Sequence, residues 1–288
     1  FMFLAMTAWG ASWVNVKILG KYITADELIF YRYVITSITM IPVLLYFKFS
    51  FKIDFKTLLL SMLGGVIMIV YTKLFYWGTY YGTSGLGGAF VTTLIPIVTF
   101  VLLSLFFGKK VTRRDIFALF LGAVGVMTLL KIWNFDLTQI LLIQNGYFVL
   151  AAFTWAFLTI TSSKSTKIHP MVFSFYMYVF TLLIDSAFFL EFTSGDVFTF
   201  DWYFWINLFI ISVVSTTFAT SLFFVGIERL GTSQASSFTF LVPFSAIGLS
   251  AVFLNEPIYF TTIIGTVLTL IAVSMLNNIK LPFSLTKK

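Results

Sequence analysis

The sequence predicts an all-α integral membrane protein of ten transmembrane helices, arranged as two inverted-topology repeats of five, on three observations. Of 288 residues, 59% are hydrophobic and only 10% charged, with a mean hydropathy of +1.00, whereas soluble domains carry about a quarter charged residues. The apolar residues fall into runs of about twenty, the length an α-helix needs to cross a hydrocarbon core of about 30 Å. The pattern of the first half returns in the second about 146 residues later.

The spans follow one another at 1 to 17, 26 to 47, 57 to 81, 85 to 107, 115 to 131, 143 to 162, 170 to 191, 202 to 227, 232 to 254 and 258 to 279. Span 1 ends in Lys17 and Lys21 with no small-residue cleavage site, the pattern of a retained helix and not of a signal peptide. The connecting loops are too short to hold a soluble domain. Tilted membrane strands would be about half as long and would alternate in polarity, which these runs do not. The first repeat is expected over 1–131, the second over 143–279, and a cytoplasmic tail over 280–288.

Basic residues give the orientation, because loops that keep them face the cytoplasm. Lys48, Lys52, Lys56, Lys109, Lys110, Arg113, Arg114, Lys164, Lys167, Arg229, Lys280, Lys287 and Lys288 fall on the side of the N-terminus. Only Lys17, Lys21 and Lys131 fall on the other, which also carries Asp196 and Asp201. Both termini are therefore expected in the cytoplasm. The net charge of +7 is a topology signal, since the bases are dispersed among loops and form no nucleic-acid patch.

With no cysteine and one histidine, His169, the chain lacks the usual thiolate, metal and triad chemistry. No cofactor is expected.

The repeat rests on three matches in order. Ala8-Trp9 corresponds to Thr154-Trp155, Phe30-Tyr31-Arg32-Tyr33-Val34 to Phe175-Tyr176-Met177-Tyr178-Val179, and Thr92-Thr93-Leu94-Ile95-Pro96 to Thr239-Phe240-Leu241-Val242-Pro243. Five spans is an odd number, so the second copy enters the membrane from the opposite side, as in many secondary transporters. Pro96 and Pro243 each remove a helical hydrogen bond and mark expected kinks; Thr92, Thr93 and Thr239 lie close enough to donate to the freed carbonyls.

These residues resemble the drug/metabolite transporter superfamily in its ten-helix EamA-type branch, over nearly the whole chain. The resemblance rests on Trp9-Gly10-Ala11-Ser12 followed by Lys17, on Arg32, on Tyr81-Gly82-Thr83-Ser84 ahead of Pro96, on Leu230-Gly231-Thr232-Ser233 ahead of Pro243, and on Asn255-Glu256 followed by Gly265. In the first half Lys109 replaces that glutamate and Ala118 that glycine. The resemblance implies an inner-membrane carrier of small metabolites such as amino acids or related amphipathic compounds, working as a monomer or homodimer in the plasma membrane. It also implies a central cavity lined by spans 1, 3, 4, 6, 8 and 9. On those spans the candidate substrate-binding residues are Lys73, Trp9, Asn15, Tyr76, Trp77, Thr93, Trp155, Thr220 and Thr239.

Three ionisable groups lie inside spans, where charge is costly and marks function: Arg32, Lys73 and Asp185. By helical rise all three sit in the outer half. Asp185 can pair with Arg32 or Lys73, leaving one base over. Lys73 is assigned as the uncompensated one, because span 3 lines the cavity in the family and span 2 does not, and its ammonium is expected to meet an anionic substrate group. A channel would need a continuous polar stripe, and a membrane enzyme a cluster of His, Asp or Glu at one interface. No such cluster is present and the kinked inverted repeat speaks against a channel, so a secondary transporter or exporter is the expected class, with a channel or facilitator as the alternative.

Overall fold

A computed structural model describes residues 1–81, 84–129, 131–134, 143–245 and 259–279, with the backbone alone at 84–90, 143 and 144. Gly82, Thr83, Asn255, Glu256, residues 246–254 of the ninth span and the tail 280–288 lie outside the described residues. The described chain is helical, with helices α1 Met2–Leu19, α2 Ala25–Tyr46, α3 Phe55–Tyr81, α4 Ser84–Phe107 and α5 Arg113–Leu129 in the first half. The second half holds α6 Ile143–Ser163, α7 Pro170–Phe188, α8 Trp202–Leu230, α9 beginning at Thr232–Ser237, and α10 Phe260–Leu276. This count fits the ten spans read from the sequence. Five of the helices, α2, α3, α6, α7 and α8, are long and apolar enough to cross a membrane by themselves, and Val91–Phe107 and Phe260–Leu276 are shorter apolar helices.

Local chemistry sets the starts. Thr24 caps α2 through a reciprocal box, its hydroxyl accepting from Glu27 N while Glu27 accepts from Thr24 N at 2.8 Å. That arrangement satisfies donors the helix cannot. Asp201 caps α8, and His169 caps α7 ahead of Pro170. Glu27 also accepts from Thr193 N and Ser194 N at 2.8 and 2.9 Å. It thereby ties the loop before α8 to the start of α2 on the face that carries Asp196 and Asp201, called the acidic face below; the lysine-rich loops form the basic face.

Large apolar side chains stay exposed around the perimeter, among them Ile38, Leu45, Leu105, Phe120, Leu183 and Ile263. Inside, the aromatic core of Tyr33, Tyr76, Tyr178, Phe148, Phe173 and Phe240 is fully buried. A water-soluble chain hides such surface, whereas a multi-pass membrane protein turns it toward lipid. The helices pair as α3 with α6 and α7, α2 with α7, α4 with α6, α1 with α8, and α5 with α10. Glycine permits the last contact: a Cβ on Gly265 would stand 2.6 Å from Gly125 C=O, and one on Gly125 would stand 3.0 Å from Gly265 C=O.

Two helices depart from regular α geometry. Within α8, Ile210–Thr220 is a π-helix, in which hydroxyls bond carbonyls five residues back: Thr216 to Ile211, Thr217 to Ser212 and Thr220 to Ser215, at 2.7, 3.2 and 3.0 Å. Wide turns of this kind gather at functional sites. In α9 the helix tightens into a 3-10 segment, Phe238–Leu241, immediately before Val242-Pro243. By contrast α4 runs on through Pro96, and the carbonyl whose helical donor this proline removes, Thr92 C=O, accepts from Thr239 Oγ1 at 3.0 Å. In lipid such a carbonyl must find a protein partner, and here it finds one across the molecule.

Candidate functional site

A cavity lies where the π-segment, the 3-10 turn and the aromatic core meet. Trp9, Ser12 and Trp13 from α1, Arg32 from α2, Tyr71 and Phe75 from α3, and Val91, Thr92 and Ile95 from α4 line it. Trp155 from α6, Ser215 and Thr220 from α8, and Thr239 and Val242 from α9 complete the wall. About 40 Å³ is open to the centres of waters, so the cavity is narrow. Two indoles face each other there, Trp9 and Trp155, edge to face at 5.1 Å, and Tyr71 packs on Trp155 at 4.5 Å.

The π-segment positions the polar side. Trp9 Nε1 donates to Ser215 C=O at 3.1 Å and lies 3.2 Å from Thr220 Oγ1. Ser215 in turn donates to Ala8 C=O at 2.8 Å, locking α1 against α8. Trp155 Nε1 is buried and has no hydrogen-bond partner among the described residues; a buried indole N–H usually finds one, so the cavity presents an open donor.

Arg32 supplies the charge. It is 8% exposed, its Nε donates to Thr216 Oγ1 at 2.8 Å and its Nη1 to Tyr76 OH at 2.9 Å. Among the described residues no carboxylate lies within ion-pair distance of it. A guanidinium carries five N–H donors, and two are accounted for by these bonds.

The expected division of charge is corrected here. Lys73 is not the uncompensated base: its Nζ lies 2.6 Å from Asp26 Oδ1 and 3.9 Å from Asp185 Oδ1, and it does not line the cavity. The partner that depth within the spans does not reveal is Asp26, in the first turn of α2. The long lysine side chain reaches it from just over two turns inside α3. Arg32, set aside because α2 is not a cavity helix in the family, is the cation on the cavity wall.

The other candidates divide. Trp9, Trp155, Thr220 and Thr239 line the cavity together. Tyr76 stands behind Arg32 as its acceptor, and Asn15 donates to Asn207 Oδ1 at 2.6 Å, joining α1 to α8. Trp77 lies farther out, on a vestibule of the acidic face with Thr24, Asp26, Tyr80 and Ser194. Thr93 is buried while its neighbour Thr92 faces the cavity. The hydroxyl run Ser215-Thr216-Thr217 was missed; five hydroxyl residues between 212 and 220 of an apolar span were the available signal. Among the described residues no three His, Cys, Asp or Glu side chains are grouped to hold a metal ion.

Comparison with known proteins bears on this cavity. The model of the EamA-like transporter family matches twice, over residues 1–131 and 142–278. An uncharacterized transporter, YetK, of Bacillus subtilis (strain 168) is 25% identical over 272 residues, covering 91% of this chain and 81% of that protein. An S-adenosylmethionine uptake transporter of Rickettsia bellii (strain RML369-C) is 27% identical over 191 residues, 63% of this chain and 61% of that protein. A solved crystal structure shares the fold with a TM-score of 0.75 at 14% identity, covering 95% of this chain and 94% of its own. The chain belongs to the EamA-like transporter family, and it is a membrane transporter, not an enzyme.

Proposed function

We propose that the chain is a secondary transporter for small amphipathic metabolites bearing a carboxylate, amino acids and related compounds, moved by alternating access through the cavity between α1, α2, α3, α4, α6, α8 and α9. The observation that carries this reading is Arg32, a buried cation on the cavity wall with no carboxylate beside it among the described residues. An unpaired buried charge is expensive, and a carboxylate that enters and leaves offsets that cost only while bound. Guanidinium geometry suits the planar, two-oxygen acceptor. Trp155 Nε1 offers a further donor, and Trp9, Tyr71 and Trp155 form apolar walls for the rest of the molecule. S-adenosylmethionine, for which one relative is named, has a carboxylate and a flat ring and falls within this class.

Alternating access rests on the inverted repeat, which three kinds of contact support. Residues that correspond in the two halves touch each other: Trp9 with Trp155, Tyr33 stacked on Tyr178 at 5.5 Å, and Thr239 with Thr92 C=O. Contacts between equivalent positions arise at a two-fold axis, and the family model matches once in each half. The basic face is the cytoplasmic one in this reading. Single cysteines placed at Lys52 and at Ser194 in a chain that otherwise has none should label from opposite sides of the plasma membrane.

The decisive experiment is a thermal-shift screen of purified protein against amino acids, other carboxylates, nucleosides and sugars, followed by counterflow in liposomes with the best stabiliser. A carboxylate should stabilise wild type. R32Q should lose about 10- to 100-fold in affinity, the loss of a charge-assisted pair, and R32K should recover only part. Stabilisation by an uncharged sugar that R32Q retains would refute the carboxylate assignment, and flux that never saturates would favour a channel.

A further inference from the structure

Asp185 is 0% exposed on α7, and among the described residues neither of its carboxylate oxygens has a hydrogen-bond donor. Lys73 approaches it only to 3.9 Å because its ammonium is held at 2.6 Å by Asp26 and lies over the Phe189 ring at 3.7 Å. One ammonium thus serves two carboxylates. With all three ionised the triad carries one negative charge, and the carboxylate without donors bears it at the greatest desolvation. Asp26 is different: its side chain is 29% exposed and lines the vestibule of the acidic face, so it is the point where water meets the triad.

From this geometry we propose that Asp185 is the reversible binding site of a proton, delivered from the acidic-face vestibule by way of Asp26. The proton forms an O–H bond on Asp185 as Lys73 settles on Asp26; on release it returns to water and Lys73 moves between the two carboxylates. Nothing else changes bonding, and the charge of the triad goes from minus one to zero. The other titratable or charged groups facing Asp185 are few. From α2 they are Asp26, Tyr33, whose hydroxyl lies 3.1 Å from Thr72 Oγ1, and, about a turn and a half deeper than Asp26, Arg32, which donates to Thr216 and Tyr76. From α3 they are Lys73 and Tyr76, the acceptor for Arg32. On its own helix they are Tyr178 and, at the far end, Tyr176; the charges of α8, Glu228 and Arg229, also lie at the basic-face end.

The coupling follows from charge and rests on the carboxylate reading of Arg32. Arg32, Lys73, Asp26 and Asp185 sum to zero when the cavity is empty and the proton absent. A substrate carboxylate alone makes the buried set minus one, a proton alone makes it plus one, and both together restore zero. Proton and substrate therefore favour each other's binding, one proton for each unit of negative charge carried.

The test is infrared difference spectroscopy of the full-length protein in liposomes, titrated with protons and repeated in deuterated buffer, with no transported compound added. Wild type should show a protonated-carboxyl band that disappears as pH rises, shifts in deuterium, and is absent from D185N. In K73Q, where the competing ammonium is gone, the band should persist to higher pH. R32Q should keep it, so loss of carboxylate binding in R32Q leaves this result separately readable. No band, a band unaltered in D185N, or a band in K73Q with the wild-type pH dependence would overturn the proposal. Should D185N fail to fold, the K73Q titration decides alone. Disappearance of the band when sodium replaces potassium at constant pH would overturn the proton in favour of sodium.

Discussion

Replacing Thr239 with valine tests whether this hydroxyl closes the hydrogen bond that Pro96 opens. Proline has no N–H, so the carbonyl four residues before it loses its helical donor. That carbonyl, Thr92 C=O, accepts from Thr239 Oγ1 at 3.0 Å, and Thr239 is 1% exposed. Valine keeps the branched shape and donates nothing. A buried partner left unmade costs about 1–3 kcal/mol, while hydrogen bonds between membrane helices average nearer 0.6 kcal/mol. The Thr239 proton is also shared with Ser236 C=O at 2.8 Å, which sets the expectation for T239V at about 1 kcal/mol. The discriminating background is P96A, whose new N–H can bond Thr92 C=O within α4 and make Thr239 redundant. Reversible unfolding of the four chains in mixed micelles titrated with SDS gives the cycle. T239V should cost about 1 kcal/mol in wild type and a few tenths in P96A. Equal costs in both backgrounds would refute the assignment.

Other expectations follow from close packing and from protonation. G265A should drive α10 off α5, because its Cβ meets the Gly125 carbonyl oxygen at 2.6 Å and Leu129 N at 2.8 Å; a loss of roughly 2 kcal/mol or more is expected in folded yield and melting temperature. G146A, with nothing within 4 Å, is the control and should be neutral or slightly stabilising through helix propensity. His169 caps α7 as the neutral ring, Nδ1 accepting from Met171 N at 3.3 Å, and stacks on Phe49 at 3.9 Å. Burial pushes its pKa below the ordinary histidine value, and Glu228 and Arg229 act on it in opposite directions. A lowered folded pKa means that the unfolded chain binds the proton first as pH falls. The His169 contribution is therefore full above about 6.5 and is lost as pH drops through the folded value. Melting curves from about pH 7.5 to 5 should show this decline, and H169S, which can still cap without titrating, should show a flatter one.

Length, helix order and the exposed apolar perimeter were legible because each needs only local composition: twenty apolar residues form a spanning helix whatever surrounds them. Some contacts across the bundle were legible in part, since Trp9 and Trp155, or Thr92 and Thr239, which touch in the structure, are the pairs matched by the proposed repeat. The partner of Lys73 was not. Asp26 sits in the first turn of α2, where acidic residues ordinarily serve the helix end, and nothing local says that a lysine some 12 Å inside α3 reaches back to it. The π-segment was hidden for a similar reason. Its hydroxyls satisfy carbonyls five residues back, but the same residues in a regular helix would bond three or four back. The choice between these is made by Arg32, Trp9 and Thr36, which bind Thr216, Ser215 and Ser212 from other helices.

Packing and charge make opposite statements about symmetry. On the proposed repeat the residues that touch across the axis are alike, tryptophan on tryptophan, tyrosine on tyrosine, threonine against threonine. The charges are not: Arg32 corresponds to Met177, Asp26 to Met171 and Asp185 to Met40. Methionine fills space without demanding a partner, so at these positions each half keeps the shape of the other without its charge. On the proposed mechanism, a scaffold of matched halves would give two conformations, open to either face, of nearly equal packing energy. A small term can then decide between them, because only a few kcal/mol separate the populations of such states. That term is concentrated in Arg32, Lys73, Asp26 and Asp185, all in the half of the bundle toward the acidic face. On the proposed mechanism, occupancy of those four by a carboxylate and a proton, not rearrangement of the aromatic core, tips the carrier from one side to the other.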